Sequence, residues 1–402
     1  MGSATRKVVI VLSLVVFAYV TAGYVLGRSQ DNKSYRPLAA YSEVLDHIQR
    51  DYVDEPNLHL VTNGALHGLV DSLDAQSSYL SPLEYADYKE KSANGANSKA
   101  SAGVALSKRF GYISVVATLP DSPAQKAGLQ FGDILEKIAG FTTSQMALDQ
   151  AQLLLTGDPG AVVRLSVIRR GKAEPQDLDI TLAKLPAPRL VEDKLEGDIA
   201  YLRVPELQSG VTKQIRDELL QFQRQGARKL ILDLRDCAVG ENEEGVSTAR
   251  LFLSSGTITT LKGQTLTPVV SAADSASVVW TAPLTVLIGP GTAGPAEIVA
   301  GAVAGNQRGE TIGVRTYGAA SQQKLIPLDD GSALILTVAN YYTPAGKSIP
   351  AEGVAPTQEV APPAEDLAAM KTYPPPPSSS RDDPVIKKAI QVLQSEGARK
   401  AA

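Results

Sequence analysis

A chain of 402 residues with 44% hydrophobic and 20% charged side chains has the make-up of a globular protein of about two or three domains. A net charge of −4 without a long basic run gives nucleic-acid binding little support. The single cysteine, Cys237, excludes an intrachain disulfide.

After Arg6 and Lys7 comes an uncharged, mainly apolar run from Val8 to Gly27, close to the ~20 residues that span a bilayer as a helix. Basic residues ahead of it favour a cytoplasmic N-terminus and an exported body, and Arg28 just beyond weakens that asymmetry. Val20-Thr21-Ala22 offers a small-residue cleavage site, so a removed signal peptide competes with a retained anchor. The apolar run continues past that site through Tyr24, Val25 and Leu26, which favours the anchor. Residues 1–28 are therefore read as a membrane anchor or signal segment, and the body is expected on the periplasmic or extracellular side.

Residues 29–101 form the next region. Its first part, 29–40, reads as a polar tether. From Tyr41 to Lys91 the apolar spacing is helical: Val44, Leu45 and Ile48 share one face, and Val61, Ala65, Leu66 and Leu69 another. Asp74 and Ser77 look like helix-terminating and capping residues. His47, His59 and His67 fall on helix faces without a carboxylate or cysteine pattern beside them, so no metal site is expected. Residues 92–101, small and polar, read as a linker.

Beyond the linker, Gly103-Val104-Ala105-Leu106, Tyr112 to Val116, Ser122-Pro123-Ala124 and Ala127-Gly128-Leu129-Gln130-Phe131-Gly132-Asp133-Ile134-Leu135 follow one another. This series resembles a PDZ domain over residues 102–185. The resemblance implies a module that takes a protein C-terminus as an added strand, with backbone amides of Ala102, Gly103, Val104, Ala105 and Leu106 around the terminal carboxylate. Leu106 and the helix end Leu153-Leu154-Leu155 are candidates for the apolar pocket, and for any single leucine a plain core role is the blander reading. Pro186 to Arg189 forms a short joint to the next domain.

From Ile199 to Val204, through a helical stretch from Val211 to Gln225, to Lys229–Arg235, the pattern is βαβ. Further on, Val286-Leu287-Ile288 reads as a buried strand broken by Gly289-Pro290-Gly291, and Gly294-Pro295-Ala296-Glu297 as a helix start. The segments Gly291 to Ile298 and Thr316 to Gln323 resemble GSASASEI and TFGKGSVQ, hallmarks of the carboxy-terminal processing (tail-specific) serine peptidases of S41 type. Tyr52-Val53-Asp54, the segment from Ser72 to Pro82 (SLDPHSSYLSP in the family), Asp233 to Gly240 (DLRxNPGG) and Tyr341 to Ile349 (YYTPSGRSI) resemble the same family. The fold class implied is multidomain α/β: a PDZ domain of α+β type and an α/β peptidase core over 186–361, preceded by a helical region. Residues 362–402 read as a proline-rich spacer and a terminal helix from Pro384.

The resemblance also identifies what is missing. In its register the nucleophilic serine falls on Gly294 and the general-base lysine on Ala319, while Gln323 matches the glutamine that supports the lysine. A Ser/Lys dyad needs a hydroxyl and an amine, and neither glycine nor alanine supplies one. At the oxyanion loop Gly240 is retained and Val239 replaces the other glycine, which puts the loop in doubt if it requires positive φ there. Nucleophile, base and oxyanion loop thus depart together in three separately anchored segments. A relocated site would draw on Ser321, Lys324, Thr292 or Cys237, each of which has an ordinary structural reading. The expectation is a non-cleaving adaptor that binds protein C-termini, with an active relative as a further expected partner and with no cofactor; an active peptidase with a relocated site is the alternative.

Overall fold

The computed structural model describes residues 16–17, 35–95, 100–109, 111–144, 146–169, 172, 174–185, 190–194, 198–350, 352–360 and 382–401. The chain divides into two compact units, Met1–Ala65 and Leu66–Ala402. Of the expected membrane segment only Val16 and Phe17 fall among the described residues, and no helix there is long and apolar enough to cross a membrane. The 186–189 joint and most of the proline-rich spacer also lie outside them.

In the first unit, helix α1 (Tyr35–Asp51) begins inside the stretch expected to be a tether. Pro37 sits in its first turn, where a missing N–H costs nothing. Helix α2 (Leu58–Asp71) follows Asn57, whose Oδ1 accepts from Leu60 N at 3.1 Å. After it come strand β1 (Ser78–Leu80) and helix α3 (Pro82–Gly95). Ser81 and Glu84 close a reciprocal cap on α3: Glu84 Oε2 accepts from Ser81 N at 2.8 Å and Ser81 Oγ from Glu84 N at 3.4 Å. The helix then carries on through Gly95, so residues 92–95 are helical rather than linker.

The PDZ region starts with β2 (Ala100–Ser101), β3 (Val104–Arg109) and β4 (Tyr112–Thr118), then a one-turn helix α4 (Pro123–Lys126). It continues through β5 (Ile134–Ile138), β6 (Phe141–Thr142), helix α5 (Leu148–Leu154), β7 (Thr156–Gly157), β8 (Val162–Ile168) and β9 (Gln176–Thr181). The main sheet has the order β3-β4-β5-β8-β9, which leaves β3 at an edge. Ala151 and Leu155 on the α5 side join Leu106, Ile113, Val115 and Leu165 in one core.

The second α/β layer comprises β10 (Val191–Lys194), β11 (Ile199–Arg203), helix α6 (Val211–Arg224), β12 (Lys229–Asp233), helix α7 (Asn242–Arg250), β13 (Thr257–Lys262), β14 (Val269–Ala272), β15 (Leu284–Ile288), helix α8 (Pro295–Gly305), β16 (Glu310–Gly313), β17 (Ser321–Pro327), β18 (Ala333–Tyr342), β19 (Gln358–Glu359) and helix α9 (Pro384–Ala401). Strands β11, β12, β15, β16 and β19 pair in parallel, and β10 closes one side antiparallel. Strand β15 is buried at every position, as a parallel strand covered on both faces must be. Leu230 and Leu232 face a core shared with Val211, Ile215, Leu219 and Phe222 of α6, while Ile231 faces the opposite way toward Ile386, Ile390 and Leu393 of α9. A second sheet, β1-β18-β13-β14 with β17 on β18, stands beside it.

Candidate functional site

The turn from β15 into α8 brings Gly294 to the N-cap of α8 with φ 57° and ψ −118°. A side-chain-bearing residue there is strained, as at the sharp strand-to-helix turns that expose a nucleophile. Glycine holds this geometry without that cost. A Cβ built on Gly294 would find Asn242 Oδ1 at 4.0 Å and nothing nearer, so the space for a side chain persists although the side chain does not.

One carboxylate ties this turn to the corner before β17. Glu297, fully buried on α8, accepts from Gly294 N at 2.9 Å and Ala319 N at 2.7 Å through Oε2, and from Thr316 Oγ1 at 2.5 Å and Gly318 N at 2.6 Å through Oε1. Burial pushes its carboxyl up to about 7, against the downward pull of those four donors. The two positions matched to nucleophile and base are therefore held by their own backbones, through one shared acceptor.

Between them lies a cavity of ≈ 200 Å³ lined by Gly294, Ala319, Gly240, Asn242, Ser321 and Gln323, among others. Gln76, from the segment after α2, reaches into it. Its Nε2 donates to Ala319 O at 3.2 Å, and its Oε1 accepts from Gln323 Nε2 at 2.5 Å and from Ser321 Oγ. Gln323 Nε2 also donates to Ser321 Oγ at 2.8 Å, and Asn242 Nδ2 to Ser321 O at 3.1 Å. The described lining carries amides, hydroxyls and apolar groups and no lysine, histidine or carboxylate, so its polar groups hydrogen-bond without offering a base.

Gln76 was not among the site residues expected from sequence. The signal was its place in the segment resembling SLDPHSSYLSP, where the family has histidine. Asp74 and Ser77 brace it: Asp74 Oδ1 accepts from Gln76 N and Ser77 N, both at 2.8 Å, and Ser77 Oγ accepts from Thr337 N of β18 at 3.0 Å.

The oxyanion loop corrects one expectation. Positive φ falls on Gly240 (144°) and Asp236 (61°), and Val239 is not among the positive-φ residues. A Cβ on Gly240 would stand 2.2 Å from Leu207 O, so glycine is required where it is retained. Val239 O accepts from Leu207 N at 2.8 Å in ordinary backbone geometry, and its β-branch does not strain the turn.

The candidates for a relocated site are dispersed. Thr292 is fully buried, with Oγ1 accepting from Gly289 N and donating to Leu234 O, both at 2.9 Å. Cys237 is fully buried and burial pushes its thiol up, away from the reactive thiolate. Lys324 is exposed on β17 and does not line the cavity. Only Ser321 joins it, and its hydrogen-bonded neighbours are amides.

The PDZ sheet roofs the cavity. Ala105, Val116 and Ala117 cluster with Ala293, and Ala238, Val239, Tyr317 and Ala319 pack against them. In the loop expected to receive a chain end, Ala102 N donates to Leu155 O at 2.9 Å and Gly103 N to Ser101 Oγ at 3.1 Å. Those two amides are committed internally. Leu106 and Leu155 both lie in the PDZ core, while Leu153 and Leu154 are half-buried.

Comparison with known proteins identifies both domains. Residues 198–360 match the model of peptidase family S41, and residues 114–169 that of the PDZ domain. A carboxy-terminal-processing protease of Bartonella bacilliformis is 30% identical over 82% of this chain and 76% of its own length. The carboxyl-terminal-processing protease of Synechocystis is 30% identical over 77% of this chain and 73% of its own. Among solved structures, a photosystem II D1 C-terminal processing protease superposes with a TM-score of 0.67 at 24% identity, covering 83% of this chain and 90% of that one, a likeness of fold.

Proposed function

Because the chain belongs to peptidase family S41 and carries a PDZ domain, we propose that it is a family member that no longer cuts and instead binds protein C-termini, as an adaptor or as a regulator of an active relative. The observation that carries this reading is the cavity between Gly294 and Ala319: it keeps the turn, the supporting Gln323 and the retained Gly240, and lacks both reacting side chains. Nucleophilic catalysis of peptide cleavage requires a hydroxyl or thiol within reach of a base. Of the residues weighed for a relocated site, Ser321 alone lines the cavity, and its side-chain neighbours are amides. The names of the relatives support C-termini as the class of partner. For the chain end, the amides of Val104, Ala105 and Leu106 are the donors this mode draws on, since those of Ala102 and Gly103 are engaged.

We further propose that the apolar run Val8–Gly27 anchors an exported body to the membrane. N-terminal sequencing of the mature protein tests this, and a start at Gly23 would show a removed signal peptide.

The purified protein is expected to leave unstructured protein substrates uncut. Cleavage that disappears in Ser321→Ala would establish a relocated site and overturn the reading. The converse change, Gly294→Ser with Ala319→Lys, is expected to return measurable cleavage, because the turn has space for a side chain and Val239 is not at positive φ, at the cost of backbone strain on a serine at φ 57°. Full recovery is not expected, since the new lysine must displace Gln76 from its hydrogen bonds to Ala319 O and Gln323.

A further inference from the structure

In the PDZ mode a chain end is added along an edge strand beside a helix; here those elements are β3, at the edge of the sheet, and α5, which share one core. Just before β3, Ala102 N donates to Leu155 O just past α5. Near the end of β3 stands Lys108. Cross-strand partners fix the direction of its side chain. Leu106 pairs with Val115 and Lys108 with Ile113, and Leu106, Val115 and Ile113 belong to the core beneath α5. Ala105, one step before Leu106, packs on the opposite face over the cavity. Paired residues project to the same face of a sheet, so Lys108 lies on the α5 side.

Lys108 is nonetheless only 3% exposed. Both oxygens of Asp71, the last residue of α2, accept from its Nζ at 2.8 Å. Lysine is almost never buried without such a partner, and the Asp71 side chain keeps 22% of its surface open to solvent. An ion pair thus stands near one end of a strand whose outer edge is unpaired within the sheet.

We propose that Lys108 selects partners bearing a carboxylate side chain shortly before their C-terminus, and that Asp71 is the internal stand-in it releases when such a chain arrives. This rests on the proposed binding of C-termini by the PDZ domain. A strand added along β3 turns alternate side chains toward α5: the last one, and those two and four positions before it. An Asp or Glu at one of these inward positions replaces Asp71 by exchange of one ion pair for another. A neutral side chain either leaves Asp71 in place or strips a buried ammonium of its partner, which is costly.

The experiment is a titration of the full chain with matched peptides that share an apolar last residue. They carry Glu or Gln two or four positions before the end, with a free or an amidated terminus. The Glu peptide of at least one position is expected to bind about tenfold more tightly than its Gln twin, by an advantage that shrinks with salt. Because Asp71→Asn leaves a buried charge unpaired and risks misfolding, the second arm is the swap Asp71→Lys with Lys108→Glu, which preserves the pair. The swapped protein is expected to prefer Lys at the same position. Equal binding of Glu and Gln peptides by the wild type overturns the inference, as does an unchanged preference in the swap. Loss of binding on amidation together with no Glu/Gln difference would overturn this inference alone, whereas indifference to amidation, or no binding at all, would overturn the PDZ reading with it.

Discussion

The Gly294–Ala319 site and the PDZ loop at Ala102–Leu106 lie on either side of one contact, and they have kept different things. At the first, the backbone is retained and the reacting side chains are gone: Gly294 holds φ 57°, Gly240 holds φ 144°, and Glu297 still gathers the amides of both turns. At the second, the proposed binding asks little of side chains, because the PDZ mode receives a chain end with backbone amides and a strand edge. On the proposed reading, absence of two side chains removes a reaction that depends on them and leaves a backbone-mediated binding site in place.

That contrast is most severely strained by removing the carboxylate that holds the degenerate site together. Glu297→Ala leaves the amides of Gly294, Gly318 and Ala319 without their acceptor, and each buried unsatisfied group costs about 1–3 kcal/mol. Urea unfolding is expected to show a loss of several kcal/mol. A loss below about 1 kcal/mol would mean that the scaffold of the site is not actively maintained.

On the PDZ side the sensitive point is Gly103. Its φ is +71°, and a Cβ there would meet Ser122 Cβ at 2.4 Å. Gly103→Ala is expected to cost about 1–3 kcal/mol in thermal or urea unfolding and to weaken peptides with a free carboxylate. Unchanged affinity would place the chain end somewhere other than this loop.

The smallest expected effect concerns pH. Burial holds the Asp236 carboxyl up at about 6, above its ordinary 3.8, despite the nearby positive charge of Arg203. A folded-state value above the unfolded one means that the folded protein binds the extra proton, so this contribution to stability is complete below about 3.8 and lost as pH rises through about 6. Asp236→Asn suits the positive φ of 61°. It is expected to be more stable than wild type at pH 7, by on the order of 1 kcal/mol, with the advantage fading as the solution is acidified. An advantage that grows toward low pH would contradict the assignment.

The sequence alone determined what the two matched positions can supply. Gly294 and Ala319 cannot supply a nucleophile or a base in any fold, and their register was anchored by flanking residues such as Glu297 and Thr316. It also marked the βαβ strands and the PDZ segments, because apolar periodicity and turn residues are local properties of the chain. The helix ends were less legible: α1 and α3 run past the expected tether and linker boundaries, since helix propagation is cooperative and no strong breaker stops it. The strain expected at Val239 did not follow either, for φ is a property of the whole turn, and the turn places its positive value on Gly240. Tertiary structure decided the rest. Gln76 reaches Gln323 across 247 positions, one buried carboxylate joins two turns, and Asp71 closes over Lys108. Such neighbours are chosen by how sheets and helices pack around a common core, and residue identity limits what they do on meeting without specifying that they meet.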